Sequence, residues 1–324
     1  MSFFTRTLTL AAAAGAAALL TTSGAQAAGY PDHPIHLYVP YGAGGSTDFV
    51  ARLYAKKLAE QLHQNVIVEN RPGAATNIGS DAAAKASPDG YTVLLSDGAH
   101  IWNSVFGPAP SFSPLKALVP IVRVASTPFV VAANPKAPFA TAKDLLAAAK
   151  AQPGKYTISS ASLRLFVELL NSRAGIKLLH IPYKGGALAT SDAIAGQVNM
   201  VYAALPVLLP FIHSGKLRAL AVTSRHRSTA LPDVPSFAEL GIDYDISIHY
   251  TIYAPSGVPA AVRQKLIQAT QAISQEKDFR ARLLASGTEA DSNHPEQLEA
   301  EARRDLAMWQ QVAKERPDLV ELGK

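Results

Sequence analysis

An apolar, β-rich run at residues 35–39 ends in the segment YGAGGSTD (residues 41–48), and a helix fits residues 48–62 directly behind it. That hand-over, from strand through glycine loop to helix, constrains the chain more than any other feature. It recurs at once: residues 66–68 read as a strand that ends in ENRPGAATNIG (69–79), followed by a helix over 78–86. PDGYTVLL (88–95) then opens a third strand. On the first helix Val50, Leu53, Tyr54, Leu58 and Leu62 share one face, the spacing of a helix laid on a sheet. The result is a βαβαβ unit, which implies parallel strands joined by right-handed crossovers. Glycine-rich loops at the carboxyl ends of such strands lay main chain bare where open α/β sheets bind small ligands.

A second series follows. Strands fit residues 129–133, 156–159, 178–181, 198–202 and 218–222, with helices over 163–173, 188–194 and 206–213. Thr141 followed by Asp144 is a capping box that opens a further helix. After an extended run at 247–253 the chain is mostly helical, with Pro259 and Pro295 suited to first-turn positions. Two βα series, each large enough for its own core, predict an α/β chain of two domains, each a sheet flanked by helices with a ligand cleft between. The strands near 119–133 and 247–253 are the expected crossings. Domain one is then discontinuous, residues 28–126 plus 246–324, and domain two is 127–245. Two domains joined by two strands can open and close around a ligand.

Residues 1–27 read as a secretory signal: Arg6, an apolar run over 8–20, and the small-residue site Ala25-Gln26-Ala27. The run is short of the roughly 20 apolar residues that a membrane span needs. Cleavage after Ala27 and an exported, soluble product are expected. The chain has no cysteine, which excludes disulfides, thiolate metal sites and a cysteine-linked lipid anchor. Loss of the leader lowers the formal charge of +5 by one unit, through Arg6. The remaining surplus is scattered, with no basic stripe interleaved with aromatics, so nucleic acid is not an expected partner.

The candidate site residues cluster in the loops. In the first, Gly44 and Gly45 free the backbone, and Ser46, Thr47 and Asp48 begin a helix whose free N–H groups favour an anion; Tyr41 stands beside them. Asp48 is equally suited to capping that helix. Spacing unlike G-x-G-x-x-G, with no lysine after it, argues against a nucleotide loop. In the second loop Thr76 and Asn77 are the better ligand candidates, and Arg71 is read as a structural partner of Glu69. Ser96, with Asp97 and His100, forms an adjoining loop. Across the cleft, Ser159, Ser160 and Ser162 follow one strand and Tyr183, with Lys184, another. No catalytic constellation stands out: there is no G-x-S-x-G elbow, no H-E-x-x-H, and no metal-ligand spacing among the nine histidines. No cofactor is expected.

With HIPYKGGALATSDAIAGQVNM (180–200), SGKLRALAVTSRHRSTALPDVPSFAELG (214–241) and YAPSGVPAAV (253–262) added to the three opening stretches, the chain resembles the Bug/TctC family over nearly its whole length. These are the periplasmic solute receptors of tripartite tricarboxylate transporters. The resemblance implies a two-domain periplasmic binding protein fold of the type II-like flytrap kind. It implies capture of a small organic carboxylate, delivery to membrane permease subunits, a periplasmic location, a monomer and no enzymatic activity. Carried over, the carboxylate would lie between residues 42–48 and 159–165.

Several positions depart from the family's pattern. The loop SSASLRLF (159–166) is shorter and lacks glycine. Ala203 and Ala204 stand where relatives often carry an acidic or amide residue, His249 where a tryptophan is usual, and Ala43 where proline is common. Ala203 and His249 are therefore added to the candidate ligand contacts, and an apolar end to the ligand is favoured. The rival functions are ligand presentation to a membrane sensor kinase and, less in keeping with the residues, a periplasmic hydrolase.

Overall fold

The computed structural model describes residues 29–161, 163–293 and 295–321. The expected signal segment and Ser162 lie outside the described residues. The first series forms β1 (Ile35–Val39), α1 (Ser46–Leu62), β2 (Val66–Asn70), α2 (Asn77–Ala84) and β3 (Thr92–Ser96). β1 pairs in parallel with both β2 and β3, as two right-handed crossovers require. Val50, Leu53, Tyr54, Leu58 and Leu62 are buried against this sheet as their spacing predicts. α1 begins at Ser46, ahead of the expected Asp48, so that Asp48 falls in its first turn.

Between β3 and the next strand the structure corrects the sequence. Residues 96–100 were expected as loop; instead α3 (Ala99–Phe106) starts at once, with Gly98 at φ 79° in the left-handed position before it. His100 is fully buried on this helix and is not a loop residue. A short α4 (Pro114–Ala117) leads into β4 (Leu118–Ala133). At 16 residues β4 runs about 50 Å, enough to pair with strands of both series.

The second series comprises α5 (Ala142–Ala151), β5 (Thr157–Ala161), α6 (Arg164–Ala174), β6 (Leu179–Tyr183), α7 (Gly186–Ala195), β7 (Met200–Ala204), α8 (Leu205–His213) and β8 (Arg218–Val222). The capping box forms: Thr141 Oγ1 accepts from Asp144 N at 3.2 Å and Asp144 Oδ2 from Thr141 N at 3.0 Å. β9 (Ser247–Pro255), α9 (Ala260–Gln275), α10 (Lys277–Ala285), β10 (Glu289–Ala290), α11 (Pro295–Glu315) and α12 (Pro317–Glu321) complete the chain.

One sheet holds all ten strands, in the order β2-β1-β3-β9-β4-β7-β5-β6, with β8 and β10 also on β4. β9 runs antiparallel along residues 118–128 of β4, whereas β7 and β8 pair with its far end. β4 thus belongs to both halves of the sheet. Tyr54, Leu58, Leu266 and Ile273 pack α1 and α9 on the first half. Val167, Leu170, Phe237 and Tyr244 fill one face of the second, and Leu205 and Leu208 of α8 the other. α11 ties the halves together: Glu299 lies 3.9 Å from Arg263 of α9, and just beyond the helix Arg316 lies 3.7 Å from Glu168 of α6. Among the described residues no helix is long and apolar enough to cross a membrane.

Candidate functional site

A cavity of about 480 Å³ opens where the parallel strands of both halves end, within the range of roughly 300–1,000 Å³ usual for small-molecule sites. Tyr41 follows β1, Thr76 follows β2, Asp97 follows β3, and Ala161 and Leu163 come from the end of β5. The floor is one face of β9. Side chains alternate along a strand, so Ser247, His249, Thr251 and Tyr253 look the same way, and Arg123 joins them from the β4 position opposite Thr251. The roof is α11, whose Leu298, Glu301, Ala302, Asp305, Met308 and Trp309 recur at helical three- and four-residue intervals. Trp102 of α3 and Phe129 and Phe166 of the second half close the side. These rings pack edge to face, Trp102 6.0 Å and Trp309 5.7 Å from Phe166, an arrangement that fixes their geometry.

Of the residues singled out from sequence, Tyr41, Thr76 and His249 line this cavity. The first glycine loop does not. Gly44 and Gly45 are exposed, Ser46 and Thr47 form the first turn of α1, and Asp48 is 4% exposed. The Asp48 carboxylate accepts from Gly44 N, Arg52 Nε and Asn70 Nδ2, each at 2.9 Å. Burial works against its charge, but these three donors outweigh it and hold the carboxyl below the usual range. Arg71 pairs with Glu69 at 2.8 Å and stacks on the Tyr38 ring, which fits the structural reading.

Elsewhere the polar candidates are occupied within the fold. Asn77 Nδ2 donates to Pro108 O at 2.6 Å. Ser159 Oγ donates to Ala189 O and Met200 O, and Ser160 Oγ meets His180 Nε2 at 2.7 Å. Tyr183 OH donates to Asp192, Lys184 is exposed, and Ala203 packs in the apolar core beneath α7 and α8. Ser96 is fully buried with no partner for its hydroxyl among the described residues. Sequence reasoning missed Arg123, Trp102, Phe166 and the α11 face. A signal existed for Arg123, a lone charge inside the apolar run LVPIVRVA, and for Glu301, Asp305 and Trp309, spaced for one helix face.

Comparison with known proteins places this architecture. The family model described as "Tripartite tricarboxylate transporter family receptor" (TctC) matches residues 50–317. The chain belongs to the TctC family. BugT of Bordetella pertussis is 36% identical to it over 293 residues, covering 88% of this chain and 90% of BugT. Among solved structures, R. palustris Rpa4515 with adipate is 28% identical with a TM-score of 0.76, covering 88% of this chain and 97% of that one. MatC from Rhodopseudomonas palustris with bound malate is 25% identical with a TM-score of 0.72, covering 87% and 99%. TctC proteins are periplasmic solute-binding receptors and not enzymes.

The cavity of this TctC protein is lined by more acids than bases. Arg123 is the one arginine or lysine among its described lining residues and is only 7% exposed. Its Nη2 donates to Glu301 of α11, its Nη1 lies 3.5 Å from Asp291, and its Nε has no partner among the described residues. The Asn293 amide, oriented to satisfy both its ends, accepts from Nη1 at 3.1 Å. His249 Nδ1 is likewise unpartnered; burial, helped by Arg123, pulls its pKa down to about 3, so the ring is neutral at physiological pH. Burial and the neighbouring Glu301 carry Asp305 up to about 6, against Arg123 and Arg304. Asp97 is also pushed up by burial although Tyr41 OH donates to it at 2.7 Å, and so is Asp245. Four acids and one arginine thus line the cavity among the described residues.

Proposed function

We propose that this protein is an exported receptor that captures a small carboxylate-bearing solute in the cavity between β9 and α11 and delivers it to the membrane subunits of a tripartite tricarboxylate transporter. The observation that carries this reading is the cavity itself. It sits at the carboxyl ends of strands from both halves of the sheet, and His249 and Arg123 line its floor, each with a buried nitrogen that has no partner among the described residues. A carboxylate supplies acceptors that match such donors. The adipate and malate in the two related structures support the ligand class.

In this account residues 28–126 with 246–324 move as one domain and 127–245 as the other, bending where β4 and β9 cross. The two are monomer-forming parts of one flytrap. Tyr41, Thr76 and His249 contact the solute, and residues 1–27 are removed on export.

The test is a thermal-shift screen of the mature protein against aliphatic, aromatic and amino-acid carboxylates. A ligand that binds only the folded state raises the melting temperature by mass action. A shift with one chemical class, together with solute uptake by cells that depends on both this protein and a co-expressed permease, is the expected result. Absence of any shift in protein confirmed free of co-purified solute would contradict the proposal.

A further inference from the structure

The charge of the cavity bears on which carboxylate it takes. Asp97, Asp245, Glu301 and Asp305 face it, and Arg123, already engaged by Glu301, is the one arginine or lysine among the described lining residues. Some of these acids have partners of their own. Asp97 caps α3 by accepting from Ala99 N at 3.1 Å and takes the Tyr41 hydroxyl. Asp305, on the α11 face that looks into the cavity, has no hydrogen bond or ion pair among the described residues. One helical turn further on lies Trp309, and Trp102 stands on the adjoining wall.

A carboxylate beside aromatic faces is a setting that favours an ammonium group, since the ring faces attract cations as well. A second observation points the same way by a different route. Arg123 is buried on the floor with its Nε unpaired, next to the unpaired Nδ1 of His249. Both nitrogens lie just beneath the cavity surface, so a carboxylate bound on this floor would face the acids of the roof. A dianion would satisfy the floor and bring its second charge against the acids of α11.

We infer that the solute carries a cationic nitrogen beside its carboxylate and an apolar body, so that this receptor selects zwitterions over dianions. The carboxylate meets Arg123 and His249, the nitrogen meets Asp305, and the body lies against Trp102 and Trp309. This inference rests on the carboxylate-receptor reading above and narrows it. It also separates this chain from the two relatives solved with adipate and malate, both of which are dicarboxylates.

Isothermal titration calorimetry on the mature protein tests it with matched pairs. Aromatic and branched-chain amino acids are compared with their deaminated carboxylates, for instance phenylalanine with 3-phenylpropionate and leucine with 4-methylpentanoate; adipate and malate serve as dianions. The expected result is that at least one amino acid binds tenfold or more tighter than its deaminated partner and than either dianion. Asp305→Asn should shrink that preference to threefold or less in protein that folds with an unchanged or raised melting temperature, and Asp305→Glu should retain it. Tighter binding of the deaminated acids or the dianions overturns the inference and leaves the receptor reading standing. Equal preference in Asp305→Asn and wild type overturns the role given to Asp305. Silence from every probe in ligand-free protein overturns both.

Discussion

The loop after β1 and the floor of the cavity each hold a buried charged side chain, Asp48 and Arg123, but they are finished differently. At the loop, Asp48 takes three donors, and Arg52 and Asn70 also bond each other at 2.9 Å. The network closes on itself around one buried carboxylate, and such satisfied networks fix local structure. On the floor, Arg123 Nε and His249 Nδ1 have no such partner among the described residues. Buried polar groups are costly when unpaired, and an ordered water or a ligand relieves that cost. On the proposed reading the glycine loop is a strut and the β9 face the recognition surface, although the loop is far the louder signal in the sequence.

The largest expected effect comes from the aromatic wall that the site shares with the core. Phe166→Ala removes a ring that touches Trp102, Phe129 and Trp309 and should cost about 3–5 kcal/mol in urea unfolding. A loss under about 1 kcal/mol would show that the wall is loosely packed. Next in size, Asp48→Ala removes the acceptor that Gly44 N, Arg52 Nε and the Asn70 amide share at the partly buried start of α1. A stability loss of about 2–3 kcal/mol is expected, with ligand affinity in the remaining folded protein changed by less than about threefold, or ~0.6 kcal/mol. A much larger fall in affinity would move the loop into the site and erase the contrast drawn above.

Arg123→Met should act in the opposite sense. It removes the carboxylate's charged donor, so affinity should weaken about 10- to 100-fold, the ~1.5–3 kcal/mol of a hydrogen bond to a charged group. A change of less than about twofold, ~0.4 kcal/mol, would remove Arg123 from the site.

The smallest effect is on pH. Asp305 titrates near 6 and is faced by Glu301 and Arg304 of its own helix, Arg123 of β4 and Asp245 ahead of β9. Raising pH from 5 to 7.5 ionises it, so a ligand cation should bind a few-fold more tightly, and Asp305→Asn should flatten the profile. Stability should move the other way. A carboxyl raised above its unfolded value of about 3.9 is most stabilising while protonated, and that contribution is lost as pH rises through about 6.

Much of the fold was legible. The periodicity of residues 50–62, the capping box at Thr141 and Asp144, and two glycine loops behind apolar runs all act over a few residues, and each formed as expected. α3 was not foreseen because its sequence, AHIWNSVF, follows β3 after Asp97 and Gly98, with the glycine in a left-handed conformation that sequence reads as loop. The site was harder still. Its roof comes from residues 298–309 and its floor from 123 and 247–253, so the constellation exists only once β4 and β9 have paired and α11 has folded back. Loops that look ligand-binding can be read one at a time; faces that meet across the fold cannot. Tyr41 and Thr76 were legible as cavity-lining residues because each lies in a loop behind a strand, and His249 because it stands where the family resemblance leads one to expect a tryptophan.

The central claim has a direct optical test, because the chain contains two tryptophans and both, Trp102 and Trp309, line the cavity. Tryptophan emission should be followed while the mature protein is titrated with the best ligand from the calorimetric panel, in wild type and in Trp102→Phe. The account predicts a saturable change in emission whose midpoint matches the calorimetric dissociation constant, and a smaller change once Trp102 is gone. A ligand that binds by calorimetry yet leaves the emission of both tryptophans unchanged would place the site elsewhere and contradict the account.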